Sequence, residues 1–481
     1  MKRRALSLSL SLLLLAGCTP APEPSPTPVP TVSQSPEPVS FDAFLAGVNE
    51  ARRSALEGGE PMDISAWTSD FREQNDTFTE AEMERLLTPH NLEKALTMET
   101  AREDIETFFT LLRTTYGAYD YFGGDEVFGP LEEQAIAALE SGKEEGDILY
   151  SKEIRDILYD TVSPVTRDGH FMIGEKHLIE EVRQEPYYVP DQYIADPEAE
   201  GLDPAYVKPT IGPDGAITYG FFALSHDGSD LPETLGGYTL DWQPCGMAEL
   251  EEPEPFVFAE RAYEGLPMLV SRQMFSNENL PESEAELERF ASCGGEYADA
   301  PVLLFDVRRN PGGSDRWIMD WFEGWTGQPC ASRWVFGQRY SQLSCKAFSY
   351  PEEQMGNWRV AQEEGTWVPR EGVTFLLTDK GTASSGETVV EFLHSVENVL
   401  VVGAPSSGCA LVPNNWHFYL PNTGIEVYFG TGLNFCETME NRDGTGYLPD
   451  LWVNPTEVPA AVARLCAYYG LKVQFTRDYT G

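Results

Sequence analysis

Between residues 282 and 403 the chain alternates segment types in an order that leaves few folds open. A helical pattern in ESEAELERFASC is followed by an apolar run in PVLLFDVRRN and a second helical pattern in DRWIMDWFEGW, then by VTFLLTD, ETVVEFLHSV and NVLVVG. Strand, helix and strand in succession imply parallel pairing through crossover helices. Residues 276–481 are therefore expected to form an α/β core.

The preceding parts read differently. From about Leu92 to Ser163 apolar residues recur at spacings of three and four, in ETAREDIETFFTLLRTTY, PLEEQAIAALES and SKEIRDILYDTV, which predicts amphipathic helices. Residues 41–85 lack a clear period and are assigned only a weakly helical lead-in, so residues 42–165 are expected to be a helical subdomain. Residues 166–275 are rich in Tyr, Pro and Gly with short β-type runs (ITYGFFAL, YTLDW, EPFVFAERAY, PMLVSRQMF), which predicts a β-rich middle region of hairpins. No repeat at periods of 20–50 residues is present, which disfavours a solenoid or propeller.

The N-terminus opens with Met1-Lys2-Arg3-Arg4, a Leu/Ser apolar run and Leu15-Ala16-Gly17-Cys18, the order of charged, apolar and small residues in a secretory signal. The run is shorter than the roughly 20 residues a bilayer span needs. Small residues leading directly into a cysteine resemble a bacterial lipoprotein lipobox, which makes residues 1–17 a signal peptide and Cys18 the lipidated mature terminus. Residues 18–41 are rich in Pro, Ser and Thr and read as an extended tether. The expected location is the outer face of a bacterial membrane. The formal charge of −45 argues against nucleic acid as a partner. Seven cysteines follow Cys18 without a zinc-type spacing, so no metal is expected. Export permits disulfides, and Cys330 with Cys345 could close a short loop.

Three segments carry residues suited to chemistry. Thr382-Ala383-Ser384-Ser385-Gly386-Glu387 lies between an apolar strand and the start of a helix. Unpaired N–H groups at a helix start favour an alkoxide and an oxyanion; the alternative is a plain helix cap, with Glu387 completing a capping box from Ser384. Phe305-Asp306-Val307-Arg308-Arg309-Asn310-Pro311-Gly312-Gly313 ends a strand in a turn whose glycines admit close backbone approach, or simply make it tight. A serine hydroxyl needs a base. Of six histidines, His170 in Asp168-Gly169-His170 alone sits beside Gly at a turn-to-strand junction.

Taken together, DVRRNPGG, TASSGE, VLVVGAPSSG and GTGYLPDLWV resemble the tail-specific, or C-terminal-processing, serine peptidase family, well over residues 265–460 and loosely over 92–175. The resemblance implies a ClpP/crotonase-like α/β core preceded by helices, no cofactor, and protein or peptide substrates. It puts the nucleophile on Ser384 and the oxyanion N–H groups on Ser385 and the Gly312-Gly313 turn. One branch takes a lysine as base from the loop after VLVVG; here Gly408-Cys409 stands there, and the only later lysine is Lys472. The other, tricorn-like branch takes a histidine from an upstream Asp-Gly-His segment, which implies His170. It also implies that Asp443, where the family usually has Glu, orients the active-site network. Many relatives carry a PDZ domain, and residues 177–265 contain no convincing one. Two alternatives stay open: a degenerate peptidase scaffold that binds peptides or glycans, and a cysteine hydrolase using Cys409 with His417.

Overall fold

The computed structural model describes residues 39–471 apart from 70, 72–76, 91–94, 145 and 251–255. The signal segment, Cys18, the tether up to residue 38 and Lys472 lie outside the described residues. No helix among the described residues is long and apolar enough to cross a membrane.

The alternating segments build a six-stranded sheet in the order Leu451–Trp452, Val399–Gly403, Val373–Thr378, Val302–Asp306, Leu266–Ser271, Phe258–Tyr263. The first five are parallel, and the hairpin partner Phe258–Tyr263 is antiparallel. The apolar runs are buried at every position, because both faces are covered. Leu269, Leu303, Phe305, Leu376 and Val401 point to a layer holding helices Ser283–Ser292, Arg316–Thr326 and Ser385–Leu393. Val270, Leu304, Phe375, Leu377 and Val402 point to the opposite layer, which holds helix Val458–Tyr469. This is the mixed α/β fold expected for the C-terminal part.

Two segments fall outside the divisions drawn from sequence. The hairpin of Phe258–Tyr263 with Leu266–Ser271 joins the parallel sheet and not the strands of the middle region, since LPMLVS has no polar face to offer water. Residues Phe41–Gly58, which show little periodicity, form an 18-residue helix capped by Ser40. Only Phe41 and Leu45 are buried along it, and they join the layer around Phe375 and Leu400. Its far end is tied down by Arg52, which donates to Asp450 and to the Val399 carbonyl, each at 2.7 Å.

Helices Met98–Thr115, Gly124–Glu140 and Ser151–Val162 follow the predicted spacing. Their apolar stripe, including Ile105, Phe108, Leu112 and Leu158, does not close on itself. It packs on Phe418, Val427, Phe429 and Leu433 from later strands. The link is the short strand Met172–Ile173, which pairs with Glu426–Gly430. Phe171 beside it lies 5.2 Å from the Tyr116 ring and 5.4 Å from Phe429. The residues around His170 are thereby fixed to both the helices and the C-terminal strands. In the middle region Val207–Ile211, Ile217–Ser225, Glu185–Ile194 and Gln243–Pro244 form an antiparallel sheet with a small core of its own. All seven described cysteines are free, so Cys330 and Cys345 do not close a loop.

Candidate active site

Three adjacent parallel strands, Val302–Asp306, Val373–Thr378 and Val399–Gly403, release their chains at the same carboxyl edge of the sheet, where open α/β sheets hold ligands. Each of the three following loops contributes to the site. The middle one is the tightest. Asp379 accepts from the N–H of Gly381 (2.9 Å), Arg309 (2.8 Å) and Ala248 (2.9 Å), and Thr382 donates its hydroxyl to the Val307 carbonyl at 2.8 Å. The chain then turns through Ser384 into helix Ser385–Leu393. Ser384 holds φ 52° and ψ −124°, a strained region for a residue with a side chain.

That strain has no local return. Ser384 occupies the N-cap position, yet its side chain caps nothing and makes no hydrogen bond with any described residue. Glu387, which the capping box would turn back on Ser384, instead accepts from the Ser406 hydroxyl (2.6 Å) and the N–H groups of Gly408 (2.9 Å) and Cys409 (2.7 Å). The simple cap is therefore excluded as the reason for this serine. A half-buried serine that bonds to no described group is left on a sharp strand-to-helix turn, the placement that nucleophilic serines exploit.

The loop after Val302–Asp306 supplies the second wall. Buried Asp306 binds Arg308 (2.7 and 2.8 Å) and Arg272 (2.9 Å), and the two guanidinium groups overcome its burial to hold the carboxyl well below its usual range. Asn310 then fixes the turn from three sides. Its amide donates to Ser271, its side-chain oxygen accepts from Gly312 N–H at 2.9 Å, and its carbonyl accepts from Ala383 N–H at 2.9 Å. A Cβ on Gly312 would lie 2.7 Å from the Ser384 Cβ and 2.7 Å from the Ser385 nitrogen. Glycine is required because the turn lies directly on the serine. Of the two glycines only Gly313 offers a free N–H, since that of Gly312 is already on Asn310; among the described residues neither Gly313 N–H nor Ser385 N–H is donated to any group.

His170 is buried, and its Nδ1 has no hydrogen-bond partner. Burial, assisted by His177, pulls its pKa down to about 4, so the imidazole is neutral at pH 7. No hydrogen bond joins His170 to Ser384 in this geometry. The segments that carry them both contact the loop 406–411. Glu387, one turn beyond Ser384, holds Gly408 and Cys409, while a Cβ on Gly169 would lie 2.5 Å from the Gly408 carbonyl and 2.8 Å from the Cys409 Cα. Asp443 ties the same parts together: it accepts from Gly169 N–H at 2.7 Å and from Ala410 and Leu411 N–H at 3.0 and 3.1 Å. The His170 ring is not among its partners, so Asp443 acts on the backbone of the histidine segment.

Four further groups belong to this network and escape the sequence reading. Asp168 accepts from His170 N–H (2.8 Å) and from the Tyr116 hydroxyl (2.9 Å). Lys380, 2% exposed, reaches the carbonyls of Ser406 and Ser407 in the loop after Val399–Gly403 and of Thr445 in the segment that follows Asp443, and burial pulls its pKa down to about 8. Tyr116 and Glu387 are the others. The one signal available was a Lys set between two apolar segments in LLTDKGTASS.

Asp168 and Asp443 repel one another in a dry site. Burial, then Asp443, raises Asp168 well above the usual carboxylate range, and burial raises Asp443 as well. A carboxyl raised in the folded state contributes stability that is complete below its unfolded pKa, near 4, and is lost as pH climbs through the folded value. Asp168→Asn, which mimics the protonated acid, is accordingly expected to gain roughly 2–4 °C in melting temperature over the wild type at pH 9 and nothing at pH 4. Melting curves at the two pH values check it, and a pH-independent difference would contradict it.

Burial, followed by Asp443, Glu387 and Asp168, pushes the Cys409 thiol well above its usual range, so no thiolate forms there. His417 faces Glu426 on an exposed strand edge. The cysteine-hydrolase alternative therefore lacks both an activated sulfur and a base. Among the described residues no group of three or more His, Cys, Asp or Glu is arranged to hold a metal ion.

Residues 272–451, which contain the Gly312-Gly313 turn, Ser384 and Asp443, match the family model described as Peptidase family S41. No curated protein matches the chain. Solved structures that resemble it include mature CPAF complexed with lactacystin, at 13% identity and TM-score 0.43, covering 78% of this chain and 99% of that one. The photosystem II D1 C-terminal processing protease gives 13% and 0.39, covering 78% and 98%. A lipoprotein from Streptococcus agalactiae gives 13% and 0.36, covering 79% and 99%.

Proposed function

We propose, from the match of residues 272–451 to the peptidase family S41 model, that the chain is a serine endopeptidase, of the C-terminal-processing type, that cleaves peptide bonds through an acyl-enzyme on Ser384. The observation that carries the reading is the strained serine that caps nothing, with two undonated N–H groups beside it and a glycine turn laid against its Cβ.

In this reading the substrate carbonyl sits over Ser384, and its oxygen faces the N–H groups of Ser385 and Gly313. Those donors are fixed before the reaction, so they need no reorganisation as negative charge develops. Gly312 contributes the space that lets the turn approach. His170 takes the hydroxyl proton, since its neutral ring has an open nitrogen, and returns it to the leaving amine. The missing Ser384–His170 bond is one that substrate closure would make, as catalytic hydrogen bonds often tighten only in the complex. Water then releases the acyl group. Asp443 and Asp168 hold the backbone N–H groups of Gly169 and His170. The lipobox-like Leu15-Ala16-Gly17-Cys18 and the Pro-rich tether support attachment to the outer face of a bacterial membrane, where the substrates would be exported or surface proteins.

The test is to incubate the purified chain with unfolded polypeptides and read new C-termini by mass spectrometry. Discrete internal cleavages that persist in metal chelators are expected. A chain that binds these polypeptides and leaves them intact would instead be the degenerate binding scaffold.

A further inference from the structure

The loop that delivers Ser384 also delivers Lys380, and the surroundings of this lysine are unusual for a cation. Its Nζ lies 3.0 Å from the Ser406 carbonyl, 3.2 Å from that of Ser407, 3.3 Å from that of Thr445 and 3.5 Å from that of Gly444. No carboxylate of a described residue lies within ion-pair distance of it. An ammonium group carries three donors and accepts nothing, and burying it is costly unless those donors are used. Here they are used on the backbone of two loops that are remote in sequence, from a stem whose own N–H is fixed to the Gly246 carbonyl at 2.8 Å.

Those two loops carry the histidine side of the site. The first continues through Gly408 and Cys409, which meet Gly169, to Ala410 and Leu411, which meet Asp443. The second starts at Asp443 and is joined to the first by Gly444 N–H on the Gly408 carbonyl at 2.9 Å. Glu387 and Thr382 also touch the first loop, but nothing else on the serine's own strand-to-helix turn reaches both loops. A point charge on a long stem suits carbonyls arriving from several directions better than a planar guanidinium does.

We propose that Lys380 is a positioning residue, which docks the loops 406–411 and 443–446, and through them Asp443 and the His170 segment, onto the loop that carries Ser384. The inference rests on the reading of Ser384 and His170 as nucleophile and base, but the docking itself can be observed without turnover.

Lys380→Met keeps the stem and removes the donors. Amide exchange across 406–411 and 443–446 is expected to accelerate by about tenfold or more while the parallel strands keep their protection. On a cleavable peptide, kcat is expected to fall by about 10- to 100-fold with KM within about threefold, the signature of misplaced groups and not of lost binding. Lys380→Arg, which keeps the charge, is expected to recover part of both. Should Lys380→Met fail to fold, Lys380→Gln takes the same measurements. Wild-type exchange and kcat in the folded variant would overturn the proposal. So would exchange raised equally over the whole core, or failure of both variants to fold, since either makes Lys380 a residue of general stability. A wild type that docks its loops but cleaves nothing would sink the peptidase reading and leave the docking role standing.

Discussion

Replacing Ser384 by alanine is expected to lower kcat/KM for peptide hydrolysis by about 10⁴-fold, close to 5.5 kcal/mol of transition-state stabilisation. The expectation follows from what the hydroxyl does not do. It caps no helix and bonds to no described group, so its removal takes away no interaction of the folded chain. The melting temperature should therefore change by no more than about 2 °C, since surface changes outside caps and cores usually stay within about ±0.5 kcal/mol. Substrate binding should also survive, because the Gly312-Gly313 turn and Ser385 N–H do not depend on the hydroxyl. Turnover numbers, melting curves and binding of an uncleaved peptide measured side by side check this combination. A variant that loses stability along with activity would show that the serine serves the fold.

His170→Ala is expected to cost about 10³- to 10⁴-fold in kcat with little change in KM, as loss of a base does when binding groups are untouched. The pH profile gives a sharper signature. Burial lowers the His170 pKa to about 4, so the acid limb of kcat/KM should lie near pH 4 and not near 6.5. The sign for stability runs the same way: a depressed histidine contributes stability present above its unfolded pKa, near 6.5, and lost as pH falls through about 4. In His170→Ala the residual activity should show no limb there. An acid limb that stays at pH 4 in the variant would belong to another group, and His170 would not be the base.

The parts of the fold that were legible in the sequence are those buried on both faces. VLLFD, VTFLLT and VLVVG have no polar side to present, so they are recognisable as strands, and the helices between them dictate parallel order. Helix Phe41–Gly58 was not legible because it buries two apolar positions and leaves little period to detect. The hairpin ending in Leu266–Ser271 was legible as β structure but not as a member of the core sheet, since its partner lies more than thirty residues away along the chain at Val302–Asp306.

The site divides in the same manner. Ser384 and the Gly312-Gly313 turn announce themselves because each sits where a strand ends and must turn sharply. Glu387 misleads: at the third position of its helix it reads as half of a capping box, whereas tertiary contacts take it to Ser406, Gly408 and Cys409. The roles of Lys380 and Asp168 could not be read locally, because what defines them is a set of backbone atoms 26 to 65 residues away for Lys380, and a tyrosine 52 residues away for Asp168. A local pattern can mark where a reacting atom stands. The groups that hold it in place are distributed over the fold.

The central claim, that Ser384 is an activated nucleophile served by His170, is tested most directly by covalent labelling with a serine-reactive fluorophosphonate and mass-spectrometric location of the adduct. The account predicts one adduct, on the peptide containing Ser384, lost in both Ser384→Ala and His170→Ala. Absence of labelling in the wild type, or an adduct that persists when Ser384 is replaced, would contradict it.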